Sequence, residues 1–353
     1  MKHKILVINT GSTSTKVALF EDTKKIFSAE ITHDPEELAL QAAVDDQIAF
    51  RKQTIAAALS GKADLIGLSA VAARGGTFGR VKGGAYLVDE SLLEACRNPI
   101  TAHASNLSAL IGQEIATEYG CRAYIYDAVC TDEVQAMARV TGLKGVERRV
   151  FSHTLNTRAA ARAQAEKMGR PYEELNFIVA HLGGGISVNV HQKGRIIDLV
   201  ADDDGAMSPE RCGRINALTV AKLCFSGKYD AAQMTKKLKG GSGLWDHLGV
   251  TDLRIVEKMI ERGDKNAAFI LDVFGYQLSK DIASLAAVLE GNVDCIILTG
   301  GCAHSKRLTE HISRRVSFIA PVAVMAGTWE MEALAKGVIR VLDGKEEAKK
   351  YIP

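Results

Sequence analysis

Four glycine-rich turns could bind phosphate, because each follows an apolar stretch and offers a run of backbone amides. They are residues 9–16 (NTGSTSTK), 74–76 (RGG), 181–185 (HLGGG) and 299–305 (TGGCAHS). Glycine permits positive φ and a close approach of the backbone, so consecutive N–H groups can point at phosphate oxygens. A single turn of this kind is usually only structural. Four of them, two with a histidine, favour a phosphate-binding site.

The first of these turns is not a P-loop. That motif reads G-x-x-x-x-G-K-[ST] and leads into a helix. Here Lys16 lacks the second glycine, and the residues that follow it (VALF) predict a strand. If this turn binds phosphate, it does so as the turn of a β-hairpin.

Two arginines and an aspartate could supply the charges that phosphoryl transfer requires. Arg74 stands at a strand-to-loop junction beside two glycines, and Arg211 lies in the string SPERCG. A guanidinium is a planar, bidentate donor to carboxylate or phosphate, although a single Arg is more often part of a surface ion pair. Asp127 ends the apolar stretch YIYD, where it could hold Mg²⁺ through water or cap a helix.

Two histidines, His153 and His181, lie beside these turns and charges. Neither has a neighbour at metal-ligand spacing, which argues against zinc. A hydrogen-bonded structural histidine is the ordinary interpretation of each. The alternative is a donor to a transferring phosphoryl group, where an imidazolium stabilises the developing charge.

The predicted elements around the turns repeat. Strands predicted at residues 5–9, 15–20 and 26–31 form a β-meander that contains the first turn. A second meander, predicted at 177–199, has the same order, with Gly183 to Gly185 at the corresponding place. Self-similarity of this kind indicates a duplicated unit.

Helices and further strands follow each meander, which predicts α/β layers. The helices are predicted at 35–59, 104–119 and 156–168, and the strands at 65–70, 123–126 and 295–299. In layered α/β proteins, ligands bind outside the carboxyl ends of the strands. The four turns are therefore expected to converge.

Composition favours a globular protein whose partner is neither nucleic acid nor an anionic membrane. The chain has 353 residues, enough for about two domains at ~150 residues each, and 44 basic against 42 acidic residues give a net charge of +2. No Lys/Arg cluster alternates with aromatic residues. The N-terminal lysines precede an apolar run too short for a signal peptide or a membrane span, which predicts a buried strand in a cytoplasmic protein.

The seven cysteines predict neither a disulfide framework nor a zinc site. Their number is odd, and no two form a C-x-x-C pair. Free cysteine is among the most frequently buried residue types. We therefore expect buried free thiols.

Several strings together resemble the butyrate kinases, which belong to the acetokinase group of the actin/hexokinase/Hsp70-like ATPases. They are residues 9–16, 180–187 (AHLGGGIS), 208–211 (SPER) and 298–301 (LTGG). The similarity extends to linking segments such as 103–107 (HASNL), 222–229 and 316–321, and so covers nearly the whole chain.

The resemblance implies a fold and a reaction. The fold would be α/β, with two duplicated ribonuclease-H-like domains, residues 1–150 and 151–330, around a central cleft. A C-terminal helix, residues 331–353, would pack back on the first domain. The reaction would be reversible transfer of the γ-phosphoryl group of ATP to a short-chain carboxylate, with Mg²⁺, giving an acyl phosphate and ADP. The carboxylate would attack phosphorus directly. A homodimer or a larger homo-oligomer is expected.

The resemblance also implies roles for individual residues. Arg74 and Arg211 would hold the substrate carboxylate and the transferring group, and His153 matches the family's transition-state histidine. Asp127 would be catalytic by organising Mg²⁺, with Glu330 as a second metal-organising carboxylate. The residues that would bind phosphate or nucleotide are Asn9, Ser12, Ser14, Lys16, His181, Gly183, Gly184, Gly185, Gly300, Gly301 and Ser305.

The chain departs from the family pattern at the presumed site. Trp329 stands where a metal-organising carboxylate is expected, Ser152 replaces the usual Phe before His153, and residues 202–204 are three aspartates. Two alternatives therefore stay open. One is a kinase for a branched or aromatic acid, for which Ser152 would enlarge the pocket. The other is a nucleotide-binding paralogue with weak or no turnover.

Overall fold

The computed structural model describes residues 2–41, 43–99, 101 and 103–353, and it divides into two compact units. Unit 1 comprises Met1–Asp132 and Trp329–Pro353, and unit 2 comprises Glu133–Thr328. The expected folding of 1–150 and 151–330 as separate domains stays a prediction, since the units are defined by contacts alone.

Unit 1 contains a mixed sheet of six strands in the order β3-β2-β1-β4-β6-β5 within the described residues. β1, β2 and β3 form the predicted antiparallel meander. β4 and β6 extend the sheet in parallel with β1, and β5 closes it antiparallel to β6. The strands are β1 (Lys4–Thr10), β2 (Ser14–Glu21), β3 (Lys24–Thr32), β4 (Ala70–Arg74), β5 (Ala85–Leu87) and β6 (Arg122–Tyr126).

Five helices accompany this sheet in the described part of unit 1. They are α1 (Pro35–Leu40), α2 (Val44–Leu59), α3 (Glu90–Arg97), α4 (Asn106–Glu118) and, from the C-terminal segment, α12 (Glu330–Leu342).

Two predicted elements of unit 1 were wrong in their bounds. The single helix predicted at 35–59 is two helices, because Gln41 leaves the helical region at φ −93° and ψ 67°. The strand predicted at 65–70 begins only at Ala70. Gly67 adopts a φ of +74°, and the amide of Leu68 donates to the carbonyl of Leu65, so this segment is a turn.

The two faces of the unit 1 sheet carry different partners, and this places the first turn. Leu6 and Ile8 of β1 pack into the core beneath α2 and α4. Because side chains alternate along a strand, Val7 and Asn9 lie on the opposite face. That face packs against α12, whose first residue, Glu330, reaches Asn9.

Unit 2 repeats this arrangement in a mixed sheet of the order β11-β10-β7-β8-β9 in the described residues. β7, β8 and β9 form the second meander, and β10 and β11 extend it in parallel. Both meanders contain a register irregularity in the second strand, at Leu19/Phe20 and at Val190/His191, which supports the predicted duplication. The strands are β7 (Asn176–Leu182), β8 (Ile186–Gln192), β9 (Arg195–Val200), β10 (Cys295–Gly300) and β11 (Val322–Ala326).

The helices of unit 2 cover both faces of its sheet. Helix α5 packs on β7 and β10, while α10 and α11 build the larger core on the other face. No helix in the described residues is long and apolar enough to cross a membrane. The helices are α5 (Thr154–Met168), α6 (Ala217–Cys224), α7 (Ala231–Leu238), α8 (Leu244–Leu248), α9 (Leu253–Glu261), α10 (Lys265–Ala286) and α11 (Lys306–Val316).

All seven cysteines are free thiols, as predicted, but only Cys96 and Cys295 are buried as whole residues, and Cys224 is exposed. Burial raises the pKa of Cys96 to about 12 and that of Cys295 to about 11. These two thiols are therefore protonated near neutral pH and serve as core side chains.

Candidate functional site

The first glycine turn of unit 1 is the turn of the β1–β2 hairpin, not a P-loop. The amide of Gly11 donates to the carbonyl of Ser14 at 2.7 Å and closes the turn. Asn9 and Lys16 are directly opposite each other in the register. Their side chains therefore share the sheet face that α12 covers.

Asn9, Arg74 and Glu330 form a polar cluster at the carboxyl ends of β1 and β4. Asn9 Nδ2 donates to Glu330 Oε2 at 3.0 Å, and Glu330 Oε1 lies 3.9 Å from Arg74 Nη2. The Arg74 side chain is 8% exposed and that of Glu330 29%. A nearly buried guanidinium thus faces a carboxylate that solvent reaches.

Asp127 follows β6 and joins this cluster through Arg74. Arg74 Nη1 donates to the carbonyl of Asp127 at 3.1 Å, and Asp127 Oδ1 accepts from the amide of Gly84 at 2.8 Å. Asp127 has a φ of +43°, a left-handed conformation that costs a non-glycine residue about 1–2 kcal/mol. No helix begins at Asp127, so the helix-capping alternative was wrong. Strained residues cluster at functional sites.

The other predicted residues of the first turn lie apart from this cluster. Lys16 Nζ is 3.4 Å from Glu30 Oε1, and both side chains are largely exposed. Ser12 is exposed at the tip of the turn and Ser14 is half-buried at its end. The structure therefore brings Asn9, Arg74, Asp127 and Glu330 together, and leaves Ser12, Ser14 and Lys16 along the hairpin.

In unit 2, His181 lies at the end of β7 and is held by Asn156 of α5. His181 is 5% exposed, and its Nδ1 is 2.9 Å from Asn156 Nδ2. An amide nitrogen can only donate, so Nδ1 accepts, and the neutral ring carries its proton on Nε2. Asn156 Nδ2 also donates to Thr299 Oγ1 at 3.3 Å, which ties the pair to β10.

His153 stands just before α5 and stacks on His181. The ring centroids are 4.0 Å apart and the planes are nearly parallel, at 8°. Ser187 Oγ accepts from the His153 amide at 3.2 Å and lies 3.0 Å from its Nδ1, so the hydroxyl can donate to that nitrogen. Both imidazoles are therefore held through Nδ1.

The HLGGG turn needs glycine for close approach rather than for positive φ, which none of its three glycines adopts. A Cβ on Gly185 would lie 3.0 Å from Arg211 Nη1, and one on Gly183 would lie 3.0 Å from His181 Nε2. Gly184 is roomier, since the nearest atom would be Glu210 Oε1 at 3.9 Å. The turn thus packs directly on a predicted catalytic arginine and a predicted phosphate-binding histidine.

Arg211 is oriented by acidic neighbours and by the same turn. Its guanidinium forms an ion pair with Asp202 and lies 3.6 Å from Asp203 Oδ1, and its side chain is 16% exposed. Ser208 Oγ donates to the carbonyl of Gly184 at 2.7 Å and fixes the SPER string to the turn. Burial raises the pKa of Asp204, the third of the aspartates.

A cavity of about 650 Å³ in unit 2 is lined by the HLGGG and TGGCAHS turns together with α9 and its preceding loop. Its size lies in the range of small-molecule and cofactor sites. A Cβ on Gly301 would meet no atom within 4 Å, so this residue opens on the cavity. Gly300 is required by the fold, because its φ is +92° and a Cβ would lie 2.3 Å from the carbonyl of Leu182.

Ser305 lines the same cavity but is committed to protein contacts. Its hydroxyl accepts from the amide of Leu308 as the N-cap of α11, and donates to Glu257 Oε1 at 2.6 Å. Glu257 itself lines the cavity. Ser305 is therefore better placed to position Glu257 and the start of α11 than to bind a ligand directly.

Sequence reasoning missed several polar residues at these positions. His103 lies beside Arg74, and desolvation, followed by the charge of that guanidinium, lowers the pKa of the imidazole. Asn156, Ser187 and Thr299 hold the two stacked histidines. The sequence held a signal for two of them: His103 opens the string HASNL, and Asn156 begins the helix predicted at 156–168.

We predict that Gly185→Ala lowers kcat by about tenfold or more, because the added methyl displaces the Arg211 guanidinium from its place on the turn. Gly184→Ala has more room and should cost less. Steady-state kinetics with thermal melts would measure both variants. Gly142→Ala, with no atom within 4 Å and no positive φ, is the control. An unchanged kcat for Gly185→Ala would contradict this account of the turn.

Two solved structures share the fold of nearly the whole chain. An acetate kinase of Porphyromonas gingivalis superposes with a TM-score of 0.81 at 19% identity, covering 96% of this chain and 100% of that one. A propionate kinase of Francisella tularensis superposes with a TM-score of 0.74 at 18% identity, covering 95% and 98%. These likenesses confirm the predicted α/β fold class.

Two further relatives have a higher sequence identity to this chain than the two solved structures do. The chain is 44% identical over 355 residues to butyrate kinase 2 of Clostridium acetobutylicum, covering 99% of this chain and 100% of the relative. It is 45% identical over 350 residues to a probable butyrate kinase of Enterococcus faecalis, covering 98% and 97%. The family model of the acetokinases matches residues 136–323. The chain belongs to the acetokinase family.

Proposed function

We propose that this protein transfers the γ-phosphoryl group of ATP to butyrate or a similar short-chain carboxylate, reversibly, giving an acyl phosphate and ADP. The observation that carries the proposal is the identity of 44–45% to butyrate kinases over nearly the whole chain. Family membership makes the protein a carboxylate kinase. The polar groups of the two units then suggest how it acts.

The reaction joins a carboxylate oxygen to the γ-phosphorus as the bond from that phosphorus to the β,γ-bridging oxygen breaks. Such transfers are catalysed by positioning and by stabilising charge on the equatorial oxygens. Arg74 and Arg211 offer fixed guanidinium donors for the carboxylate and the transferring group. His153 and His181 offer parallel imidazoles whose protonated nitrogens can donate to phosphoryl oxygens, supported by the stacked geometry.

The carboxylates near Arg74 fit a magnesium ion. Mg²⁺ in kinase sites is usually held by one or two carboxylates, together with waters and substrate phosphates. Asp127 contacts Arg74 through its backbone carbonyl, Glu330 Oε1 lies 3.9 Å from Arg74 Nη2, and Asn9 orients Glu330. When bound, the ion would neutralise charge on the β- and γ-phosphates. Asp127 and Glu330 would hold it.

The departures from the family pattern do not favour the alternatives. Trp329 precedes α12, but its neighbour Glu330 supplies a carboxylate to Asn9 and Arg74. The Ser152 hydroxyl accepts from Asn189 Nδ2 at 3.1 Å, a supporting contact beside His153. Butyrate and its near homologues remain the proposed substrates. Homo-oligomerisation and a cytoplasmic location stay predictions.

The test is an acid panel with purified protein and MgATP. Linear and branched acids of two to six carbons are supplied one at a time, ADP is measured by a coupled assay, and hydroxylamine traps the acyl phosphate as a hydroxamate. We expect ADP only when an acid is present, with the highest kcat/KM for acids of about four carbons. Measurable ATP binding without turnover on any acid would overturn the proposal.

A further inference from the structure

A fully buried arginine, Arg51, lies behind the first glycine-rich turn, residues 9–16. It belongs to α2 and is 1% exposed. Arginine is almost never fully buried unless it is paired. Among the described residues, Arg51 forms no ion pair with a carboxylate, and burial lowers its pKa. The partners of this buried charge among the described residues are therefore neutral groups, and they indicate what Arg51 does.

Within the part of the chain that the structure describes, the Arg51 side chain donates only to residues of this turn. Its Nη1 reaches the carbonyl of Ser14 at 3.1 Å and Thr15 Oγ1 at 2.9 Å, and its Nη2 reaches the carbonyl of Ser12 at 3.4 Å. His33 continues this support, since its Nε2 is 2.8 Å from Thr15 Oγ1 and its amide donates to the carbonyl of Thr13. The carbonyls of three successive turn residues are thus held on the inner side.

The start of the turn is held just as firmly by residues at and before the start of α4. The amide of Thr10 donates to Ser108 Oγ at 2.9 Å, and Thr10 Oγ1 donates to the carbonyl of Ala104 at 2.6 Å. What stays available is the outer side. In the described part of the chain, the amides of Ser12 and Thr13 donate to no protein acceptor, and both residues are exposed. A turn whose carbonyls are bound by the protein, while two exposed residues keep unbonded amides, suits an anion.

We propose that Arg51 is a positioning residue that holds residues 11–14 in a phosphate-binding conformation. It fixes the carbonyls of the turn from behind and places a positive charge beneath its amides. The ligand it serves is a phosphoryl group, either that of MgATP or that of the acyl phosphate, so the inference rests on the proposed function. Arg51 faces away from the exposed side of the turn and is not a catalytic residue.

The test compares Arg51→Met and Arg51→Lys in both directions of the reaction. Arg51→Met should lower kcat/KM for MgATP and for acyl phosphate by about 10²-fold, because the turn loses its support. The KM for the carboxylate should stay within about twofold, since Arg51 has no part in carboxylate binding. Arg51→Lys should recover about tenfold, because it keeps the charge but cannot donate to three acceptors at once.

The matched control is Lys52→Met, the next residue of α2. Lys52 pairs with Glu114 and Glu118 and does not touch the turn, so its kinetics should equal those of the wild type. Thr15→Val removes the hydroxyl that both Arg51 and His33 contact. It should lower kcat/KM for MgATP and for acyl phosphate by about threefold to tenfold. Thr15→Val therefore tests the positioning role of Arg51 if Arg51→Met fails to fold.

Two outcomes would overturn the inference while leaving the proposed function intact. One is that Arg51→Met folds and has the kinetics of the wild type. If Arg51→Met does not fold, the same outcome is wild-type kinetics in both Arg51→Lys and Thr15→Val. The other is a loss of kcat/KM that is equal for the carboxylate and the phosphate substrates, that parallels a fall in melting temperature, and that Arg51→Lys does not reduce. A wild-type protein inactive with every acid would instead overturn the proposed function. A loss of kcat/KM in Arg51→Met that is confined to MgATP and acyl phosphate, with partial recovery in Arg51→Lys, supports the positioning role.

Discussion

Replacing Arg74 with alanine is expected to lower kcat by about 10³-fold or more, since this guanidinium is the best-placed cation near the proposed metal carboxylates. Its nearly buried side chain binds the carbonyl of Asp127 and faces Glu330. The Kd for MgATP should change by less than about threefold, because the proposed role concerns the carboxylate and the transferring group rather than the nucleotide.

Two further variants make the Arg74 result specific. Arg74→Lys should restore little activity, because one ammonium cannot serve both Asp127 and Glu330 in the geometry of the fork. Arg80→Ala, at a side chain 69% exposed, removes an arginine outside the cluster, and its kinetics should be close to those of the wild type. Equal losses of turnover and of MgATP affinity in Arg74→Ala would contradict the assigned role.

Replacing His153 with alanine is expected to have the second large effect on turnover. We expect kcat to fall about 10²- to 10³-fold, the usual cost of removing one donor to a developing charge. The KM values should change far less, because the interaction is proposed to strengthen in the transition state. Steady-state kinetics over the pH range in which the wild type is stable would measure both quantities.

Ser187→Ala separates the chemistry of His153 from its placement. The hydroxyl of Ser187 lies 3.0 Å from His153 Nδ1, so its loss should free the ring and lower kcat by about tenfold. Circular dichroism and melting temperature would show whether either variant is misfolded. A folded His153→Ala protein with a raised KM and an unchanged kcat would assign this residue to ground-state binding instead.

The sequence allowed the repeated meander to be predicted because strand patterns are local. Alternating apolar residues and glycine turns at corresponding places indicated both copies. The break after α1 and the turn at Leu65–Leu68 escaped prediction, because each depends on a backbone angle that an apolar run does not encode. Gly67 was the available signal for the second, since glycine adopts positive φ readily.

The candidate site could be predicted only in part, because proximity across the chain is a property of topology. The rule that ligands bind at the carboxyl ends of strands pointed to Arg74 and Asp127. Glu330 meets Asn9 from 321 residues away in the sequence, and this contact depends on α12 packing on β1. Arg51 gave no signal, since an arginine in a predicted helix is normally a surface residue.

The central claim is that a carboxylate oxygen attacks the γ-phosphorus of ATP, and isotope transfer tests it most directly. Butyrate labelled with ¹⁸O in both carboxylate oxygens is incubated with MgATP and enzyme, and the product is cleaved with hydroxylamine at its acyl carbon. Each released phosphate should then carry one ¹⁸O, detected by mass spectrometry, with unlabelled ADP. Label in AMP, or unlabelled phosphate alongside the hydroxamate, would contradict the account.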